Sequence, residues 1–168
     1  YKRQAPCRKA IKDALKVMMS GTEDEMIDFI DQFRKKFRSL PPEEISFPRT
    51  VSDVVKYKGR NAIYEKGTPI HARGSLLFNH HVKRLGLEGK YSLIGNGEKV
   101  KFCYLRSPNP IHENVMSFIQ DFPREIGIEK YIDYDLQFEK SFLDPLKIIL
   151  DVIQWNVEKT ASLESFFS

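Results

Sequence analysis

The stretch that decides the fold of this chain is Gly67-Thr-Pro-Ile-His-Ala-Arg-Gly-Ser-Leu-Leu-Phe-Asn-His-His-Val-Lys-Arg84. It opens with Gly, Thr and Pro, which favour the start of a helix, and continues with residues compatible with one. At about 100° per residue, Phe78, Val82 and Leu85 fall on one side of this predicted helix. The opposite side carries a narrow arc of cations, namely Arg73, His80 and Arg84. Such a face suits a polyanion, although an ordinary solvated surface helix has the same pattern.

The composition predicts a folded domain with a mildly basic surface. The chain has 168 residues, of which 41% are hydrophobic and 12% aromatic, so it can bury a substantial core. Its formal net charge is only +4. Any binding of nucleic acid must therefore depend on local clusters of cations rather than on a global field.

The cysteine content and the absence of targeting segments predict a soluble, intracellular protein. Only Cys7 and Cys103 are present, without metal-ligand spacing, which indicates a reducing compartment. No apolar run is long enough to cross a membrane, and no signal peptide is recognisable. The chain starts with Tyr1 instead of Met, which suggests a piece of a longer protein.

Two helices are predicted in the first 40 residues. Ala5-Pro6 precedes a helical pattern with proline in its first turn, where the missing donor costs little. Thr22 and Glu25 have capping-box spacing at the start of a second helix, which ends at Pro41-Pro42. Its predicted core stripe consists of Met26, Phe29, Ile30, Phe33, Phe37 and Leu40.

Residues 43–66 are irregular in pattern and rich in cations. The positive side chains are Arg49, Lys56, Lys58, Arg60 and Lys66. Ser52 and Asn61 stand among them as small donors that can approach phosphate oxygens closely. The segment is therefore predicted to be a functional loop, with a solvated connection as the alternative.

A small antiparallel sheet is predicted in the middle of the chain. Two extended segments, 91–94 and 98–105, flank Gly95-Asn96-Gly97, a strong hairpin signal. On the second strand, Lys99 and Lys101 alternate with apolar residues and should emerge on one face. Residues 114–119 are a candidate third strand.

The last long helical pattern spans residues 133–153 and is interrupted at Asp144-Pro145. We expect a kink or restart there, with Asp144 as the cap of the second segment. Asp133 and Asp135 are interpreted as helix-start carboxylates rather than metal ligands. The predicted buried stripe consists of Phe138, Phe142, Leu146, Ile149 and Ile153. Lys140 lies on the opposite side.

These patterns predict an α+β fold, mainly helical, with a small antiparallel hairpin or sheet. No nucleotide-binding glycine motif, zinc-ligand spacing or nucleophile elbow is present. His80 and His81 are adjacent on the predicted helix and point about 100° apart, so they cannot chelate one metal. We predict no catalytic residue and no metal site in this chain.

In order and spacing, the segments resemble the thumb domain at the carboxyl end of family B DNA polymerases of the T-even bacteriophage type. The residues that carry the resemblance are Ala5-Pro6 with Ala10–Leu15, Phe47-Pro48-Arg49 with Lys56-Tyr57, Pro69–Gly74 with Phe78-Asn79, Asn96–Val100, Asp133-Tyr134 with Glu139–Phe142 and Pro145-Leu146, and Ala161-Ser162-Leu163 with Phe166.

The resemblance implies a nucleotidyltransferase of DNA replication whose catalytic carboxylates and Mg²⁺ lie in a palm domain outside this chain. Residues 1–153 would be the thumb, which grips the primer-template duplex through phosphates and the minor groove. The implied DNA contacts are Arg73, Asn79, Lys83 and Lys140, then His80 at a position where relatives should carry a cation, then Arg49, Lys56, Lys99 and Lys101.

Residues 154–168 resemble a tail that ends in a sliding-clamp-binding peptide. Leu163, Phe166 and Phe167 have the spacing of one helical turn and would fill an apolar pocket on the clamp, although Thr160 replaces the usual Gln. The alternative is that the two aromatics fold back on the thumb itself.

The resemblance also implies a location in the cytoplasm of an infected bacterial host, without a membrane. Two other functions compete with a polymerase thumb. The chain would then be a free-standing nucleic-acid-binding module, or a protein-interaction domain whose cations only keep it soluble.

Overall fold

The computed structural model describes residues 4–158, which form two compact units. Within that range the first unit comprises residue 4 and residues 41–137, and the second comprises residues 5–40 and 138–158. In chain order the elements are α1 (Ala5–Ser20), α2 (Glu23–Arg38), α3 (Pro42–Ile45), β1 (Phe47–Val51), a 3₁₀ turn (Val55–Tyr57), α4 (Ile70–Arg84), β2 (Glu98–Tyr104), β3 (Val115–Phe118), two further 3₁₀ turns (Arg124–Ile126 and Glu129–Tyr131), α5 (Tyr134–Phe138), a π-helical turn (Glu139–Leu143) and α6 (Asp144–Val152). The predicted α+β fold, mainly helical with a small antiparallel sheet, is confirmed.

The core of the second unit is a cluster of phenylalanines. Thr22 caps α2 as predicted, since its hydroxyl accepts a hydrogen bond from the backbone N–H of Glu25 at 3.3 Å. From α2, Phe33 meets the rings of Phe138 and Phe142, with centroid distances of 5.7 and 4.8 Å. The predicted aromatic stripe is therefore core, although Phe29 and Leu40 at its margins are only half-buried.

The helical pattern after residue 138 is interrupted by a π turn. The backbone N–H of Asp144 donates to the carbonyl of Glu139, five residues earlier. Pro145 has no N–H, and in a regular α-helix its ring would crowd the carbonyl four residues back, so a wider turn relieves both problems.

Two details of the predicted last helix are wrong, and one is confirmed. Asp144 does not cap α6 with its side chain, because Leu143 occupies the N-cap position. Ile153 is 40% exposed because α6 ends one residue earlier, while Leu150 is buried. Asp133 is a helix-start carboxylate as predicted, since Oδ1 accepts the N–H of Leu136 at 3.0 Å.

A three-stranded antiparallel sheet forms the centre of the first unit, in the order β1-β2-β3. Phe47 pairs with Phe102 across β1 and β2, and Lys101 pairs with Phe118 across β2 and β3. Helix α4 packs on β3. The helix approaches the strand closely at Gly74. A Cβ atom at this position would meet the backbone nitrogen of Ser117 at 2.9 Å and lie closer still to the Ser117 hydroxyl.

The predicted hairpin is wrong in one of its two strands. Strand β2 and the turn at Asn96-Gly97 exist, but residues 91–94 form no strand, and β2 pairs instead with β1, in a segment predicted to be a loop. The reason is a side chain: Asn79 donates to the carbonyl of Ile94 at 2.9 Å and accepts its N–H at 2.7 Å. Ile94 therefore has no backbone group left for a ladder.

The predicted helix between residues 67 and 84 is confirmed as α4, but it is buried over more of its surface than its charge pattern indicates. Leu76, Leu77 and His81 are all buried. Leu85, expected on the buried side, is 38% exposed because it lies just beyond the helix end. The cationic surface of α4 is therefore restricted to its exposed C-terminal positions, His80, Lys83 and Arg84.

Both thiols are buried and neither forms a disulfide, Cys7 in the second unit and Cys103 in the first. Burial raises the pKa of Cys103 to about 12. No helix within residues 4–158 has the length and apolar content that crossing a bilayer requires.

Candidate nucleic-acid interface

A basic cleft of about 580 Å³ opens in the first unit between α4 and the loop that precedes it. This name denotes the depression whose basic lining residues are Lys58, Arg60, His80 and Lys83. All four side chains are exposed, and no Asp or Glu is among the residues that line the cleft. With lysine or arginine side chains on both walls and no carboxylate among the lining residues, the cleft favours anions.

One wall is a tight turn that presents Lys58 and Arg60. Its ends are joined by a β-bridge between Lys58 and Tyr64 and by a 2.9 Å hydrogen bond from the N–H of Glu65 to the carbonyl of Tyr57. Only glycine fits at position 59, because a Cβ there would lie 2.9 Å from the carbonyl carbon of Ala62. The two cations are thus carried by a constrained backbone.

Tyr64 connects this turn by a hydrogen bond to the loop that contains Glu113. Its hydroxyl donates to the carboxylate of Glu113, with Oε1 at 2.9 Å. Burial and the adjacent Glu113 carboxylate both raise the pKa of Tyr64, so the phenol keeps its proton near neutral pH.

The other wall is the C-terminal half of α4, with Asn79 at its base. His80 and Lys83 project from this half into the cleft. The hydrogen bonds between Asn79 and Ile94 hold residues 93–95 beside the helix as the third side of the cleft. The predicted contact of Asn79 with DNA stays a prediction, and its amide already has a structural role.

His81, the neighbour of His80 on α4, carries no charge near neutral pH. Burial, reinforced by the positive charge of Arg84 and by His80, lowers its pKa to about 4. Its Nδ1 accepts a hydrogen bond of 3.1 Å from Nε of Arg84, which fixes the ring in its neutral form.

Arg73 belongs to a separate network at the other end of α4. Its Nη2 donates to Oδ1 of Asn114 at 2.6 Å, and its guanidinium lies 5.7 Å from the ring centroid of Tyr64. It is not among the residues that line the basic cleft. In the structure, Arg73 ties the loop at Asn114 to the helix.

Known proteins similar to this chain are DNA polymerases of two bacteriophages. No family model matches it. The DNA-directed DNA polymerase of Enterobacteria phage T4 is 27% identical over 164 residues, which is 95% of this chain and 18% of that protein. The polymerase of Escherichia phage RB69 is also 27% identical, over 165 residues and the same shares.

The chain is similar to T4-type phage DNA polymerases. The predicted resemblance to T4-type phage DNA polymerases is therefore confirmed along nearly the whole chain. The chain spans less than a fifth of the length of these two polymerases.

The strand cations implied by the polymerase resemblance do not share one surface. Arg49 is paired with Val100 and stacks over Phe102, with its guanidinium 5.8 Å from the ring centroid. Lys99 and Lys101 emerge together on the opposite face of the sheet, as their alternation predicted. Lys101 is half-buried, and its Nζ donates to the carbonyl of Glu43 at 3.0 Å.

The remaining polymerase-like positions lie elsewhere. Lys56 is exposed, with Nζ 5.3 Å from the ring centroid of its neighbour Tyr57. Lys140 is exposed on the π turn of the second unit. The predicted clamp-binding residues Leu163, Phe166 and Phe167 lie outside the described residues.

From the sequence, Lys58 and Arg60 were only two of five cations in a loop. That they line one cleft with His80 and Lys83 was not predicted. The signal that identifies them is Gly59, since a glycine between two cations marks a tight turn that holds both at one edge. Within residues 4–158, no group of three His, Cys, Asp or Glu side chains is placed to hold a metal ion.

Proposed function

We propose that this chain is the duplex-gripping thumb of a replicative DNA-directed DNA polymerase that acts in the cytoplasm of an infected bacterial host. The observation that carries the proposal is the basic cleft, whose lining includes Lys58, Arg60 and Lys83 and no carboxylate, in a chain similar to phage polymerases over 95% of its length. In this role the chain holds primer-template product and leaves nucleotide addition to palm carboxylates with Mg²⁺ elsewhere in the polymerase.

Phosphate contacts explain why such a grip tolerates any sequence. Lys58, Arg60 and Lys83 are exposed on constrained backbone, so they can neutralise phosphates and release counterions with little ordering of the chain. The net charge of +4 is too small to attract DNA from every side. Affinity therefore depends on this local cluster.

Minor-groove contacts fit the same requirement. Every base pair presents acceptors at purine N3 and pyrimidine O2 in the minor groove, so an amide donor placed there reads no particular sequence. Asn61 is exposed at the rim of the cleft, and the Asn79 amide has a second N–H besides the one it donates to Ile94. Both residues supply donors of the required kind.

Two parts of the proposal concern residues away from the cleft. Lys140 of the second unit adds a further phosphate contact. The tail, through Leu163, Phe166 and Phe167, docks on the sliding clamp. Two modest contacts joined in one chain raise the residence time on DNA by effective concentration, without requiring high affinity of either one.

The direct test is a titration of the 168-residue chain with a mixed-sequence duplex at several salt concentrations. We expect log affinity to fall linearly with log salt, and Lys83→Ala to reduce the slope by about 0.9, the share of one phosphate contact. Lys35→Ala, which removes an exposed lysine from α2, is the charge-matched control and should leave the slope unchanged. Binding that ignores salt, or that prefers one base sequence, would contradict the proposed grip.

The tail requires its own experiment. A peptide of residues 158–168 should bind the cognate clamp, and replacing Phe166 and Phe167 together by Ala should abolish binding because the apolar pocket loses its occupants. Ser165→Ala in the same peptide is the control and should bind like the parent. A double-alanine peptide with unaltered affinity would rule out clamp docking through these residues.

A further inference from the structure

The basic cleft contains more apolar surface than a phosphate-binding site requires. Its lining also includes the aliphatic residues Val54, Val55, Ile63, Leu76, Leu93 and Ile94. Two of these are open to solvent, since Val55 is 71% exposed and Leu93 is 37% exposed. Exposed aliphatic groups beside cations indicate a ligand with an apolar face as well as a negative charge.

An intact duplex does not offer such a face. Its bases are stacked, so a protein that lies along it meets phosphates, sugars and the edges of bases. An unpaired nucleotide differs, because its base exposes a flat surface that stacks on apolar and aromatic side chains while its phosphate remains ionised. The combination of cations and aliphatic groups matches this second ligand.

The size and polarity of the cleft agree with one nucleotide. Its volume of about 580 Å³ is in the range of small-molecule sites. The absence of carboxylates from its lining favours an anion, and the amide groups of Asn61 and Asn79 supply hydrogen-bonding groups for the edge of a base.

We propose that the basic cleft binds a single unpaired nucleotide, with its phosphate against Lys58, Arg60 and Lys83 and its base against Val55, Leu93 and the neighbouring aliphatic side chains. This inference rests on the proposed function and deepens it. The same cleft that contacts duplex phosphates would capture a nucleotide that has left the stack, and so hold a frayed or single-stranded segment of the DNA.

The test compares four probes on the 168-residue chain, with the imidazole proton signals of His80 in the cleft as the NMR reporter. The probes are deoxyadenosine monophosphate, deoxyadenosine, inorganic phosphate and a short polyglutamate peptide. We expect the nucleotide to bind at least roughly tenfold more tightly than each of the other three, because only it engages both the cations and the aliphatic groups.

A variant separates the apolar contact from the charges. Val55→Ala with Leu93→Ala removes exposed aliphatic surface and keeps every cation, so nucleotide affinity should fall toward that of phosphate while duplex affinity stays within about twofold. Val152→Ala, at a residue of α6 that is 82% exposed, is the matched apolar control and should change neither affinity. Circular dichroism checks that each variant is folded.

The outcomes distinguish this inference from the proposed function. Duplex binding without preferential nucleotide binding would overturn the nucleotide site and leave the thumb proposal standing. Phosphate that binds as tightly as the nucleotide would reduce the cleft to an anion site, and polyglutamate that binds as tightly would identify it as a peptide site. Nucleotide binding without duplex binding would support the site and overturn the thumb proposal.

Discussion

Asn79 organises the backbone beside the basic cleft. It occupies a half-buried position on α4, and its amide satisfies both hydrogen-bonding groups of Ile94, a residue that is itself buried. A side chain that replaces a backbone partner in this way fixes the path of an irregular segment that has no strand partner.

We predict that Asn79→Ala lowers the free energy of unfolding by about 1–3 kcal/mol, because the N–H and carbonyl of Ile94 lose their partners. Urea denaturation measures this change. Asn61→Ala, at an exposed position of the same cleft, should change stability by no more than about 0.5 kcal/mol. Equal stability of the two variants would show that the amide of Asn79 is not needed to hold Ile94.

His81 makes the stability of the chain depend on pH. Its folded-state pKa of about 4 is below the value of roughly 6.5 expected in the unfolded chain, so the unfolded state binds more protons between these values. The contribution of the neutral His81 ring to the free energy of unfolding is complete above about pH 6.5 and is lost as the pH falls toward 4. It amounts to roughly 1–3 kcal/mol.

We therefore predict that His81→Phe loses less stability than the parent chain between about pH 7 and about pH 5, because its ring is not protonated on unfolding. Urea unfolding at the two pH values gives the difference. His80→Gln removes only the smallest of the three causes of the lowered His81 pKa, after burial and Arg84, so it should retain most of the pH dependence of the parent. If His81→Phe and the parent lose equal stability, His81 is not the group responsible.

At the scale of elements, the contact between α4 and β3 fixes how the helix lies on the sheet. Gly74 stands directly over Ser117, whose hydroxyl also donates to the carbonyl of His71 at 3.0 Å. No side chain separates the helix from the strand at this point, so backbone packs close to backbone.

We predict that Gly74→Ala destabilises the chain by about 1–3 kcal/mol, since the added methyl group overlaps backbone as well as side-chain atoms of Ser117. Gly89→Ala is the matched control, because a Cβ at that position meets nothing within 4 Å. Thermal or urea unfolding compares the two variants. Similar midpoints would mean that α4 can move away from β3 at little cost.

The elements also show which sequence patterns determine structure and which do not. Helices α1, α2 and α4 follow from local signals such as Pro6, Thr22 and the 3.6-residue period, because these act within one element. The partner of β2 does not follow, because Asn79, fifteen residues from Ile94, removes the expected strand. Pro48 within β1 made that strand resemble a loop.

The basic cleft was predictable only in part, because it too depends on contacts between residues that are distant in the sequence. His80 and Lys83 could be identified on one helix, but their meeting with Lys58 and Arg60 depends on the tertiary placement of the turn around Gly59. The clustering of charges is a property of the folded unit, and no local period encodes it.

At the scale of the whole molecule, two compact units carry the cations predicted to contact DNA. The first unit contains the basic cleft, and the second contains Lys140. Because the net charge is small, each local cation should make a separable contribution to the salt dependence of binding.

We predict that Lys140→Ala reduces the salt slope of duplex binding by about 0.9, as expected for a phosphate contact that is lost. Lys147→Ala, at another exposed lysine of the second unit, is the control and should leave the slope close to that of the parent. Fluorescence anisotropy at several salt concentrations supplies both slopes. Identical slopes for the parent and Lys140→Ala would remove Lys140 from the set of DNA contacts.

The two buried thiols give the chain a practical advantage for optical work. Cys7 and Cys103 are the only cysteines of the sequence, both are buried, and the raised pKa of Cys103 leaves almost no thiolate to react with maleimides near neutral pH. A cysteine introduced at an exposed position such as Asn61 would then be the preferred point of attachment for a dye. A reporter could be placed at the rim of the cleft in the otherwise native sequence, so that the proposed binding of DNA can be tested one molecule at a time.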